Sequence, residues 1–110
     1  MNIFEYHLKE IHNLILTNKD FLKLDKIENL DKINLEVPPE QFNFDLSCNI
    51  AMVLSKSNKL NSKKLAEKIR ELFLDQIKNF SNVEVAGPGF LNIKLSKSAL
   101  IGNILSLIHI

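Results

Sequence analysis

The chain has one cysteine, one arginine among 14 basic residues, and no long apolar run. Each shortage excludes something. Cys48 cannot close an internal disulfide and lacks the companions of a metal site, so the expected setting is a reducing compartment, the cytoplasm. With Arg70 the sole arginine, the bidentate fork that grips phosphate is essentially missing, and lysines and backbone amides must substitute for it. No stretch approaches the roughly 18 apolar residues of a membrane span, and charges interrupt residues 1–10, so neither an anchor nor a signal core is expected. Fourteen basic against 13 acidic residues give a net charge of +1. That balance excludes a polycationic tail coating nucleic acid by charge alone, so any such role needs a local site. At 110 residues and 45% hydrophobic composition, one compact domain over residues 1–110 is expected.

A catalytic set is also lacking. His7 and His12 are five residues apart, on different sides of a predicted helix, and do not make the four-residue metal-ligating pair. With His109 they read as ordinary, partly exposed histidines. Cys48 has no nearby histidine and reads as a small buried side chain. The Gly87-Pro88-Gly89 turn lacks the glycine spacing and following helix of a phosphate cradle. No metal site and no cofactor are expected in this chain.

The periodicities that are present predict the elements. Asn2 is placed to cap a helix carrying Phe4, Leu8, Ile11 and Ile15 and ending near Asn18. Lys19 to Leu30 reads as a short helical piece or helical turns. Lys32–Val37 and Phe42–Leu46 alternate as strands on either side of Pro38-Pro39. A helix is expected from Ser47, with Ile50, Ala51, Val53 and Leu54 on one side, fraying at Ser57 to Lys59. Asn61 or Ser62 caps the next helix, whose stripe runs through Leu65, Ile69, Leu72, Phe73, Ile77 and Phe80. Asn82–Ala86 and Phe90–Leu95 are strands joined by the glycine turn. Ser96 or Ser98 caps a last helix holding Leu100, Ile101, Ile104, Leu105 and Ile108. The order α-β-β-α-β-β plus a C-terminal helix predicts a two-layer α+β domain, with helices on one face of a four-stranded antiparallel sheet.

The last strand divides unequally. Leu91, Ile93 and Leu95 point to the core, whereas Phe90, Asn92 and Lys94 point the other way. A ring, an amide and a cation in line offer a stacking platform for an unpaired base, hydrogen bonds for its edge, and a charge for a nearby phosphate. The same face also fits ordinary packing and solvation. Lys56, Lys59, Lys63 and Lys64 form a local basic cluster, and Asn49 sits at a turn beside the sheet where its amide could face a base.

Two segments carry a resemblance. Leu35-Glu36-Val37-Pro38-Pro39 with the Asp45 to Asn49 stretch, followed by Val83-Glu84-Val85-Ala86-Gly87-Pro88-Gly89-Phe90-Leu91-Asn92-Ile93, is similar to the N-terminal additional domain of arginyl-tRNA synthetase, a class I aminoacyl-tRNA synthetase. The resemblance covers nearly the whole chain. It implies a two-layer α+β fold and contact with the D-loop of the arginine tRNA, with Phe90 and Asn92 at the positions the family sets against a base. A Gly-Asp-Tyr-like run in many members is Phe44-Asp45-Leu46 here. The resemblance further implies that residues of about 97–110 form a helix or linker toward a catalytic domain of the same chain, which would use ATP and Mg²⁺ to attach arginine. This portion would be inactive alone, and the parent enzyme would be a cytoplasmic monomer. The alternative is a stand-alone protein-interaction domain of the same fold.

Overall fold

The computed structural model describes residues 3–27, 30–39 and 43–97. Residues 80–95 make its longest hairpin, with β3 (Phe80–Ala86) and β4 (Phe90–Leu95) antiparallel around the glycine turn. Gly87 and Gly89 take φ of +57° and +131°, values that side chains resist. A Cβ on Gly89 would also lie 3.3 Å from the Ser62 Cβ. On the far side of β4 lies β2 (Leu46–Cys48), and on β2 lies β1 (Leu35–Glu36), giving the order β1-β2-β4-β3 with every pair antiparallel.

Register sorts the side chains into two faces. Leu46 sits opposite Ile93, Cys48 opposite Leu91, Val83 opposite Ile93 and Val85 opposite Leu91, so these residues share the inner face. On that face pack α1 (Ile3–Thr17), α2 (Ile50–Asn58) and α3 (Ser62–Gln76), closing one core. Phe73 is fully buried, its ring edge-on to Phe80 at 5.3 Å. Each such large apolar side chain contributes about 1.5–3 kcal/mol on burial. Asn61 caps α3 by accepting the Lys64 N–H at 3.0 Å. Arg70 donates from Nε to the Val83 carbonyl at 2.6 Å, satisfying part of the open edge of β3.

The predicted α+β class, antiparallel sheet and cap at Asn61 agree with this architecture; several boundaries do not. The second strand is Leu46–Cys48, not Phe42–Leu46, and α2 starts at Ile50, not Ser47. Alternation continues through Cys48, so helix and strand patterns overlap there, and β4 decides which residues pair. The first strand shrinks from Lys32–Val37 to Leu35–Glu36, because Leu30–Lys32 forms a 3₁₀ turn. Phe80 belongs to β3, since α3 stops at Gln76. Lys19 to Leu24 forms helical turns, with the Leu22 N–H on the Asn18 carbonyl and the Leu24 N–H on the Lys19 carbonyl.

His7 is the largest departure. Expected to be partly exposed, it is 0% exposed, with its ring against Phe80 and Tyr6. The Asn79 amide nitrogen lies 3.3 Å from its Nε2, within hydrogen-bond distance. The expected cap at Asn2, the last helix, His109 and the linker toward a catalytic domain lie outside the described residues.

Candidate nucleic-acid interface

Opposite the helices, the outer face of the sheet carries a row set by register: Glu36 beside Ser47, Ser47 beside Asn92, and Asn92 beside Glu84. One step along, Phe90 pairs with Ala86. The chain leaving β1 turns over this row as Val37-Pro38-Pro39 and makes a groove of about 290 Å³, with Ser47 and Asn92 in its floor and Phe90, Ala86 and Gly87 across from the prolines. That volume sits near the lower bound of small-ligand pockets, about 300 Å³.

The structure brings Phe90 and Asn92 together here. Phe90 is 37% exposed, a ring presented to solvent. Asn92 was expected on the open face and is there, yet it is only 8% exposed, because the groove closes over it. Its side chain makes no hydrogen bond to any described residue. Its amide is therefore reached from the groove, with its acceptor and donors open to whatever enters it. Lys94 follows on the same face, half-buried, with Nζ 3.4 Å from the Asn43 carbonyl and further donors to spare. Glu36 in the lining and Glu84 beside Asn92 make the groove unsuited to a phosphate and suited to a neutral, flat, hydrogen-bonding group.

The other candidates lie elsewhere. The Asn49 amide is engaged with backbone: Oδ1 accepts the Asn34 N–H at 2.8 Å and Nδ2 donates to the Lys32 carbonyl at 3.1 Å. It holds the approach to β1 and is not offered to a base. Lys56 is exposed on the last turn of α2, and Lys59, at φ +54°, ends that helix. Neither lines the groove, which is on the opposite side of the sheet. Cys48 is fully buried, as expected, and burial pushes its thiol up to about 12. No group of three His, Cys, Asp or Glu residues fit to hold a metal occurs among the described residues. Among the same residues, no helix is long and apolar enough to cross a membrane.

Sequence reasoning missed the wall. Pro38-Pro39 reads as a strand stop, and nothing in its spacing shows that it folds back over Asn92. Ser47 was assigned to a helix and is the strand residue beside Asn92.

Comparison with known proteins bears on the same segments. The family model described as the arginyl tRNA synthetase N terminal domain matches residues 7–95. The chain is similar to the arginine–tRNA ligase of Pelagibacter ubique (strain HTCC1062), 41% identical over 95 residues, covering 86% of this chain and 16% of that protein. Similarity to the arginine–tRNA ligase of Bartonella tribocorum (strain CIP 105476 / IBS 506) is 42% over 97 residues, covering 88% and 16%. In fold it is similar to the crystal structure of arginyl-tRNA synthetase from Plasmodium falciparum, with a TM-score of 0.63 at 19% identity, over 91% of this chain and 18% of that one. The chain thus spans about a sixth of the length of the curated relatives it matches. The matched region takes in all four strands and the groove between them, and it places this chain in the family of arginyl-tRNA synthetase N-terminal domains.

Proposed function

We propose that this domain binds the arginine tRNA for an arginine–tRNA ligase, taking one unpaired D-loop base into the groove. Phe90 stacks on the base, Asn92 hydrogen-bonds its edge, and Lys94 meets a neighbouring phosphate. The observation that carries this reading is the Asn92 side chain, which lines the groove and leaves its amide without a hydrogen-bond partner among the described residues. An amide offers an acceptor and two donors, and the mixed edge of a base matches both kinds, whereas an alkyl ligand matches neither and a carboxylate only the donors. The exposed Phe90 ring supplies a π-face that accepts a base without needing charge.

Arginine activation with ATP and Mg²⁺ falls to a catalytic domain of the parent enzyme, in the cytoplasm. The described residues do not fit that chemistry. The Gly87-Pro88-Gly89 turn continues into β4 and not into a phosphate-binding helix, so no step of adenylate formation is assigned to them.

The test is a kinetic split in the full-length enzyme. Phe90→Ala and Asn92→Ala each raise the KM for tRNA about ten-fold or more, as the loss of a base stack worth about 1–3 kcal/mol requires. The KM values for arginine and ATP stay unchanged. Equal effects on all three substrates, or none on tRNA, refute the reading.

A further inference from the structure

Beyond the hairpin turn from the groove lies a second hollow, of about 230 Å³, and its lining is of another kind. Leu22, Leu60 and Leu65 make the floor; Lys23, Lys64 and Lys68 stand around it. No carboxylate lines it, although Glu67 and Glu71 lie on the same helix. The ammonium groups of the three lysines make no hydrogen bond or ion pair with any described residue. Lys64 and Lys68 are one turn apart on α3, where like charges repel, and Lys23 arrives from a separate turn to add a third. An anion between them converts that repulsion into attraction, and the positive end of α3 adds to it.

The hollow and the groove flank the same turn. Gly87 lines the groove; Pro88 accepts the Ser62 hydroxyl at 2.7 Å; Asn61, the next residue back, lines the hollow. An RNA strand that places a base beside Phe90 carries its adjoining phosphates past this turn. We infer that Lys23, Lys64 and Lys68 form a phosphate-binding subsite for the backbone of the RNA whose base enters the groove. The inference rests on the RNA-binding reading above and divides the work: the groove reads a base, and the hollow takes charge. It also accounts for how a domain with a net charge of +1 engages a polyanion, since three cations face one hollow that no carboxylate lines.

The test measures binding of an arginine tRNA transcript to the full-length protein across a range of KCl concentrations. Lys23→Gln, Lys64→Gln and Lys68→Gln are compared with Phe90→Ala, with melting curves to verify folding. Each lysine substitution is expected to lower the slope of log K against log salt by about 0.7–0.9 and to weaken binding about five-fold at 0.1 M salt. Phe90→Ala is expected to weaken binding and leave the slope unchanged. An unchanged slope in all three lysine variants overturns the inference, whatever Phe90→Ala does. A lowered slope with no effect of Phe90→Ala keeps the phosphate contact and removes the base-reading groove. If inorganic phosphate at constant ionic strength binds the hollow while the tRNA slope is unaffected by the substitutions, the site serves a small free anion and the inference fails. Absence of tRNA binding at low salt overturns both readings.

Discussion

The Asp45 carboxylate accepts the backbone N–H of Leu95 at 2.7 Å, while the Asp45 N–H donates to the Ile93 carbonyl at 2.9 Å. One residue thereby extends the β2–β4 pairing past the end of the ladder, using its side chain where the backbone of β2 has turned away. Hydrogen bonds to charged groups contribute about 1.5–3 kcal/mol. Asp45→Ala should therefore lower stability by about that amount in urea unfolding, and Asp45→Asn, which keeps an acceptor, should recover part of it. A neutral Asp45→Ala would show that the pairing of β4 does not depend on this contact.

Asn92 and Asn49 make opposite predictions from the same side-chain chemistry. The Asn49 amide bridges two backbone groups, so Asn49→Ala should cost about 1–3 kcal/mol of stability and leave tRNA affinity unchanged. The Asn92 amide has no partner among the described residues. Asn92→Leu should match or exceed the parent in thermal stability while losing tRNA binding, the trade expected of a group kept for function. Destabilisation by Asn92→Leu with unchanged binding would reverse the two roles.

Glu10 gives a pH prediction. Burial raises its carboxyl above the ordinary range, and its Oε1 is buried without a hydrogen-bond partner. The nearest ring nitrogen, His7 Nε2, lies 4.0 Å away, beyond hydrogen-bond distance. A carboxyl whose folded pKa is raised contributes stability below its unfolded pKa and loses that contribution as pH rises through the folded value. Glu10→Gln should thus raise the Tm at pH 7, with the gain vanishing toward pH 4. A lower Tm for the variant at pH 7 would mean that the ionised carboxylate is stabilising.

Cys48 reports on opening of the core. Its thiol is fully enclosed and pushed up to about 12, so it stays protonated well above neutral pH. Ellman's reagent at pH 8 should leave the folded domain unlabelled and react fully in denaturant. Fast labelling of the native protein would place β2 in exchange with an open form.

The sequence was most legible where one physical rule acted alone. Around Gly87 and Gly89, alternation and turn chemistry agree, and both strands of the hairpin lie close to where periodicity puts them. Around residues 42–50 two rules compete: alternation runs from Phe44 through Leu46 to Cys48 while the helical pattern begins at Ile50, and only pairing with β4 separates them. Of the site, Phe90 and Asn92 were legible as one side of a strand, since alternation fixes which residues share a face. The enclosure of Asn92 was not, because it depends on Pro38 and Pro39 returning over a distant strand. His7 misled for a similar reason: its burial follows from Phe80 and Asn79, far along the chain.

The strand order has a consequence for when the groove exists. Cys48 meets Leu91 across the whole of α2, α3 and β3, so the centre of the sheet joins distant parts of the chain. During synthesis β1 and β2 emerge early and have only each other until β4 follows. Two paired strands of two and three residues are too little to persist alone. The groove therefore exists only once β4 has paired with β2, which fixes β1 and the Val37-Pro38-Pro39 wall at the same time as it brings in Phe90 and Asn92.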